Sequence, residues 1–227
     1  MIIIEPGLQF YVDKLNADQK FSFNRFGNGE WDCIMGLWPN TRSKSQDFTP
    51  DLCAKLTEVV TAKPEPYYMA LQNTASLERS GLLHKVDAWL SERSLTFQWH
   101  LGDVFHRASG FGELAPFVRA LSAKRVVVVG PPWLLSLPFA SILLPVAEHN
   151  CWDQVDELTK QLLSIRNAVI SFSAGPTTKV LIDRLFPYIG DSCWLIDAGS
   201  LWDPYCGVNS RTYHRKMSSE TLAANLV

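Results

Sequence analysis

Four consecutive valines, Val126 to Val129, constrain this chain more than any other stretch. β-Branched side chains are stiff at χ1 and suit extended backbone. An unbroken run of them leaves no polar face, so the strand has to be covered on both sides, as in a parallel sheet between two layers of helices. The remaining sequence alternates accordingly. Phe21 to Phe26 reads as a strand and Glu30 to Leu37 as a helix. Asp51 to Val60 has helical periodicity, and Tyr67 to Leu71 reads as a strand. Leu82 to Leu90 is an amphipathic helix, Leu95 to Trp99 a strand, and Leu114 to Leu121 a helix. After the valines, Ser141 to Val146 reads as a strand, Asp153 to Leu163 as a helix and Ala168 to Phe172 as a strand. Thr177 to Leu185 follows as a helix and Trp194 to Ile196 as the last strand. Strands separated by helices imply parallel crossovers, so the expected fold class is α/β, a doubly wound, mostly parallel sheet with helices on both faces, Rossmann-like and in one domain over residues 1–227. The polar tail after Arg215 is expected to fray.

Composition narrows the function classes. The chain has 227 residues, 47% of them hydrophobic, which suffices for a proper core. A formal net charge of −2 gives no global basic field for nucleic acid, leaving only local patches such as Arg42, Lys44, Arg79 and Lys85. No apolar run is long enough to span a membrane, and the opening MIII meets an acid and a proline at once, unlike a signal peptide. A cytoplasmic protein is expected. The five cysteines, Cys33, Cys53, Cys151, Cys193 and Cys206, include no CxxC pair, so reduced thiols are expected rather than a zinc ribbon or a disulfide framework. His84, His100 and His149 attract no functional role, and Trp133 and Trp202 read as packing residues.

In doubly wound sheets ligands bind beyond the carboxyl ends of the strands, so the residues just after each strand are the candidates. The first such segment, FNRFGNGEW (Phe23 to Trp31), presents Arg25, Gly27, Asn28 and Glu30 together. It reads either as a tight turn with Asn28 capping a helix, or as a site for a phosphate or a metal-bound phosphate. The valine run ends in Gly130 and Pro131. The strand at Ala168 to Phe172 leads into SAGPTTK, where Gly175 permits close approach, Pro176 presets φ, and Thr177 and Thr178 open a helix whose free N–H groups suit a diphosphate. Neither GxxxxGK[ST] nor GxGxxG is present. The final strand delivers Asp197, Ser200 and Asp203 to the same edge.

Taken in order, RFGNGE, VVVVGPPW, SAGPTTKVLIDRLF and IDAGSLWDPY…SRTYH resemble the glycosyltransferases of the GT-D fold, and more closely a short branch of phage and bacterial proteins. The resemblance runs from Phe21 to His214 and takes in GDVFHRAS and PVAEHNCW. It implies transfer of a sugar from a nucleoside-diphosphate sugar, with a divalent cation (Mn²⁺ or Mg²⁺) held at an Asp-x-Glu motif in the first loop. Here Glu30 matches that motif, and Asn28 stands in place of its aspartate, keeping an oxygen ligand but losing the charge. On this reading Glu30 and Asn28 hold the metal, while Arg25, Gly27, Asn28, Gly130, Pro131, Gly175, Pro176, Thr177, Thr178, Asp197, Ser200, Asp203, Arg211 and His214 bind the donor. Glu30, Asp103 and His106 serve catalysis, Asp103 and His106 sharing a face if DVFHRAS is helical.

Each role has a structural alternative. Arg25 can simply pair with a carboxylate, Glu30 can serve a helix dipole, and His106 can be a satisfied buried histidine. Asp203 can begin a turn, and Arg211 and His214 can belong to a solvated tail. The acceptor is expected to be a hydroxyl on a glycan, a small molecule or, following the phage-like branch, a hydroxymethylated DNA base. The alternative function is a non-catalytic nucleotide-binding module of the same fold.

Overall fold

In a computed structural model, which describes residues 1–37, 46–72 and 74–226, eight strands form one sheet. They are β1 (Ile2–Ile4), β2 (Ser22–Phe26), β3 (Tyr67–Leu71), β4 (Gln98–Leu101), β5 (Val126–Gly130), β6 (Ile142–Pro145), β7 (Val169–Phe172) and β8 (Trp194–Asp197). Their order is β1-β4-β3-β2-β8-β7-β5-β6, and every pairing is parallel. The mostly parallel sheet expected from sequence is thus wholly parallel among the described residues. The helices are α1 (Gly7–Asn16), α2 (Asn28–Ile34), α3 (Pro50–Val59), α4 (Thr74–Arg79), α5 (Leu82–Glu92), α6 (Val104–Phe111), α7 (Ala115–Ser122), α8 (Val155–Leu162), α9 (Thr177–Ile189) and α10 (Ser219–Asn225).

The valine run behaves as its chemistry demands. Val127 and Val129 join one apolar core with Leu56, Leu181 and Leu185, from α3 and α9. Val126 and Val128 join the opposite core with Tyr11, Leu15, Phe105 and Phe117, from α1, α6 and α7. All four are fully buried, so β5 is sandwiched between two helical layers. Tyr67 to Leu71 is a strand as expected, whereas the strand placed at Leu95 to Trp99 lies instead at Gln98–Leu101. A short 3₁₀ turn, Cys151–Gln154, takes the start of the helix expected from Asp153.

Three expectations are corrected. The first sixteen residues carry an edge strand and a helix for which no element was expected, because β1 is only three residues long and partly solvated. The polar C-terminus does not fray. Ser218 caps α10 by accepting from the Thr221 N–H at 3.2 Å. Its last residue, the buried Asn225, accepts from Leu114 N–H (2.7 Å) and donates to the Ser109 carbonyl (2.8 Å) and the Tyr205 hydroxyl (2.9 Å). Nor are all the thiols free. Cys33 on α2 and Cys53 on α3 form a disulfide, since packing of the two helices brings their Cα atoms within 5.3 Å. A spacing of 20 residues carries no local signal of such a pair.

Between β2 and β8 the winding changes direction. The chain runs outward through β2, β3 and β4, and the later strands return through β7 to β8. Pairing across this seam is short, with only Ser22↔Leu195 and Phe23↔Ile196 in register, against five pairs between β2 and β3. The carboxyl ends of β2 and β8 part here, at the switch point where such sheets bind ligands, and this parting is the candidate crevice.

Candidate active site

At the end of β2 the side chain of Arg25 turns toward the crevice, and its backbone N–H donates to Asp197 Oδ2 at 3.2 Å. The peptide groups of β2 and β8 no longer meet here, and a carboxylate takes the place of the missing ladder carbonyl. The guanidinium lies 3.5 Å from Asp103 Oδ1, at the start of α6, while its buried Nε has no hydrogen-bond partner among the described residues. Gly199 lies directly beneath, at φ +54°, where any β-carbon would collide with Arg25 Nη2. Gly102 makes room on the other side, since a β-carbon there would come within 2.9 Å of Arg25 Cγ and 2.7 Å of the Leu71 carbonyl.

The next turn begins α2. Its N-cap is Gly27, so Asn28 is the first helical residue rather than the cap. Glu30, three residues into the turn, accepts the Gly27 N–H through Oε2 at 3.0 Å, the return half of a capping box. Its other oxygen, Oε1, faces Lys179 Nζ at 3.2 Å. Burial pushes the Glu30 carboxyl up, but the Lys179 ammonium and the N–H groups of Glu30 and Gly27 outweigh it and hold the group below the usual carboxylate range. Glu30 thus serves the helix terminus and also contacts a buried cation.

Lys179 is the residue that sequence reading missed. It lies in the first turn of α9, a position where the helix dipole disfavours a cation, and its side chain is 4% exposed. It is held by charge. The ammonium is 2.8 Å from Asp197 Oδ2 and 3.2 Å from Glu30, with a longer contact of 3.5 Å to the Gly175 carbonyl. A lysine in the first turn of a buried helix was the available signal, since such a residue requires carboxylates nearby. Asn24 fixes α9 over the sheet, donating to the Lys179 carbonyl at 3.0 Å and to the Tyr67 hydroxyl at 2.6 Å.

The SAGPTTK turn has the expected backbone but not the expected free donors. Gly175 adopts φ +57°, Pro176 is the N-cap, and Thr178 Oγ1 accepts the Ala174 N–H at 3.2 Å, while the Thr178 and Lys179 N–H groups close the turn on the Gly175 and Pro176 carbonyls, each at 3.1 Å. Thr177 and Thr178 are fully buried. Gly130 and Pro131 fall farther along the edge, with β7 between β5 and β8. Gly130 is a packing position, because a β-carbon would come within 2.5 Å of Leu134 and 3.0 Å of Ser173.

His106, on α6, has both ring nitrogens buried and without a hydrogen-bond partner among the described residues. Desolvation first, then the positive charges of Arg25, His214 and Arg211, hold its pKa well below 6.5. It is a neutral imidazole that packs edge-on against Tyr213 at 6.0 Å. Tyr213 in turn reaches Ser200 Oγ at 3.2 Å. Asp203 accepts from Trp133 Nε1 at 3.2 Å and from the Ser210 hydroxyl, so it braces two loops at the crevice rim. His214 is buried and accepts the Arg211 N–H at 3.3 Å, while Arg211 itself is exposed. Arg25, Glu30, Asp103, His106 and Asp197 therefore converge, with Asp203, Arg211 and His214 on the loop beside them. Arg79 and Lys85 are exposed on α4 and α5, and Arg42 and Lys44 lie outside the described residues.

The chemistry of Glu30 and Asn28 does not fit a resident divalent cation. One Glu30 oxygen is spent on a backbone N–H and the other faces an ammonium, and Asn28 brings a neutral amide. Among the described residues no group of three His, Cys, Asp or Glu is placed to ligate a metal.

Among the described residues, a wholly parallel, doubly wound sheet with charged side chains gathered at its switch point gives the chain an α/β architecture. Its fold is that of a glycosyltransferase domain, the GT-D fold that the sequence motifs resemble. The selenomethionine structure of the domain of unknown function 1792 superposes with a TM-score of 0.69 at 17% identity, over 90% of this chain and 80% of that one. A glycosyltransferase with the same domain from Streptococcus sanguinis gives 0.66 at 17% identity, over 90% and 83%. A third structure of that domain, described as a distinct glycosyltransferase fold, gives 0.66 at 15% identity, over 100% and 90%. No protein-family model matches the chain, and no curated protein does. No helix among the described residues is long and apolar enough to cross a membrane.

Proposed function

We propose that the protein is a glycosyltransferase that moves a sugar from a nucleoside-diphosphate sugar to a hydroxyl acceptor. The observation that carries this reading is the meeting of a part-buried guanidinium whose buried Nε has no partner and a neutral imidazole whose two buried nitrogens have none, among the described residues, beside a helix N-terminus. The positive dipole end of α9 and the glycine turn at Gly175 suit the donor diphosphate. Arg25, steadied by Asp103, neutralises charge as the bond between the sugar and the diphosphate breaks. A lone pair on His106 takes the acceptor proton as the new sugar–oxygen bond forms, and the diphosphate leaves with the electron pair.

A thermal-shift screen over nucleoside diphosphates and their sugars, followed by slow hydrolysis of the donor without acceptor, tests the proposal. At least one nucleotide should raise the melting point and be hydrolysed as its sugar conjugate. Glu30→Ala should abolish turnover. His106→Gln should lower transfer by about 10²–10⁴-fold while leaving the donor-induced shift in place. A shift without hydrolysis or transfer would return the protein to a non-catalytic nucleotide-binding module, and no shift with any nucleotide would sink the reading. A hydroxymethylated base as acceptor rests on the sequence resemblance. Duplex binding that weakens steeply with salt would support it.

A further inference from the structure

We infer that Lys179 supplies from within the chain the positive charge that a divalent cation would otherwise bring, so that the donor diphosphate binds without metal; this rests on the reading just proposed. The two carboxylates that flank the seam, Glu30 after β2 and Asp197 at the end of β8, are bridged by one ammonium at 3.2 and 2.8 Å. An ammonium is a compact point charge that takes oxygen partners, as Mg²⁺ and Mn²⁺ do, and it is pinned here by its own helix. Asp197 is 1% exposed and Glu30 13%, so neither carboxylate can turn to a soluble cation without leaving the lysine buried and uncompensated.

The charges agree with this arrangement. Arg25 and Lys179 carry two positive charges against three negative ones on Glu30, Asp197 and Asp103, a net of −1. An aspartate at position 28 would make it −2, a cluster that attracts a divalent ion. The amide of Asn28 avoids that second negative charge, and Arg25 and Lys179 remain the cations offered to a diphosphate. The ammonium's longest contact, 3.5 Å to the Gly175 carbonyl, is at the limit of a hydrogen bond, so that N–H is the one most readily exchanged for a phosphate oxygen. The Gly175 turn is also the place where the diphosphate would lie. Asn28 and Lys179 act together: the amide adds no charge that calls for a metal, and the lysine provides the cation.

The experiment is calorimetric titration of uridine and guanosine diphosphates into wild-type protein in EDTA and in Mn²⁺, with Mn²⁺ alone titrated into wild type and Asn28→Asp. Wild type should bind one nucleotide with affinities within about 2-fold in the two buffers and take up no Mn²⁺ by itself, while Asn28→Asp acquires Mn²⁺ binding. Lys179→Met should lose about 10-fold or more in nucleotide affinity, with Lys179→Arg retaining most of it. Wild-type binding that vanishes in EDTA and returns with Mn²⁺ would overturn the inference while sparing the proposed function, and it needs no variant to fold. Nucleotide bound as tightly by Lys179→Met as by wild type would overturn it as well. Failure of every nucleotide to bind in either buffer would overturn the proposed function and this inference together.

Discussion

Gly199 and Gly207 offer a controlled comparison at the scale of single residues. Both have positive φ, +54° and +75°, but a β-carbon on Gly207 meets nothing within 4 Å, whereas one on Gly199 runs into the Arg25 guanidinium. Gly207→Ala should cost about 1 kcal/mol, the left-handed penalty alone. Gly199→Ala adds the displacement of Arg25, so it should cost about 1–3 kcal/mol and also weaken nucleotide binding, read as urea midpoints and donor-induced thermal shifts. His106 yields a pH prediction. A base works in its neutral form, and burial holds this imidazole neutral to well below pH 6.5. The acid limb of the transfer rate should therefore lie below pH 6.5, and a limb at or above that value would remove His106 as the base. Arg25, Glu30 and Asp197 were legible in sequence because each ends or follows a strand, where the sheet's geometry gathers side chains. Lys179 was missed, since a lysine on an amphipathic helix reads as solvated unless the first turn of that helix is recognised as buried.

Among the elements, those with apolar periodicity were the readable ones. β3 and β5 declare themselves by aromatic and β-branched content, and α9 by its spacing and the preceding glycine and proline. α10 has no comparable signal. Its place is set by one amide, Asn225, which satisfies the buried N–H of Leu114 and the carbonyl of Ser109. Asn225→Ala should strip both partners and cost about 2–3 kcal/mol in chemical denaturation, while leaving nucleotide binding unchanged in the folded protein. Asn225→Asp should not rescue it, because the carboxylate cannot donate to Ser109. The link between α2 and α3 is testable in the same way. Closing a loop of 20 residues reduces the entropy of the unfolded chain by an amount worth about 3 kcal/mol, so Cys33→Ala with Cys53→Ala should lower stability by roughly that much. Thiol titration of the unreduced, unfolded protein should find Cys151, Cys193 and Cys206 alone. Five titrating thiols would refute the bond.

For the molecule as a whole, three histidines with desolvated rings set the response to acid. His100, whose Nδ1 lies 2.6 Å from the Tyr11 hydroxyl and whose ring stacks on Tyr68, is pushed down to about 4 by burial and then by Lys14. Burial is also the main influence lowering His106 and His214. The unfolded chain takes up these protons from about pH 6.5 downward and the native protein does not, so stability rises with pH through that window and is full above it. His100 alone should account for about 1–2 kcal/mol lost by pH 5. Glu30 acts lower still: its stabilisation is full above the ordinary carboxylate pKa and is lost as pH falls through its depressed value. Melting temperature should decline steadily from pH 7 to pH 5, and a flat profile would contradict the buried neutral state of these rings.

The short seam between β2 and β8 has a consequence for how the chain is divided. The first four strands form one half of the sheet and the last four the other, each half continuous in sequence, and they pair only through Ser22↔Leu195 and Phe23↔Ile196. Arg25, Glu30, Asp103 and His106 belong to the first half; Gly175, Lys179 and Asp197 belong to the second. α10 reaches back from the second half to the Ser109 carbonyl of α6, like a clasp. Severed in the turn between α6 and α7, the molecule would become two polypeptides with matching faces and one side of the crevice each. Neither polypeptide alone would hold both sides of the crevice.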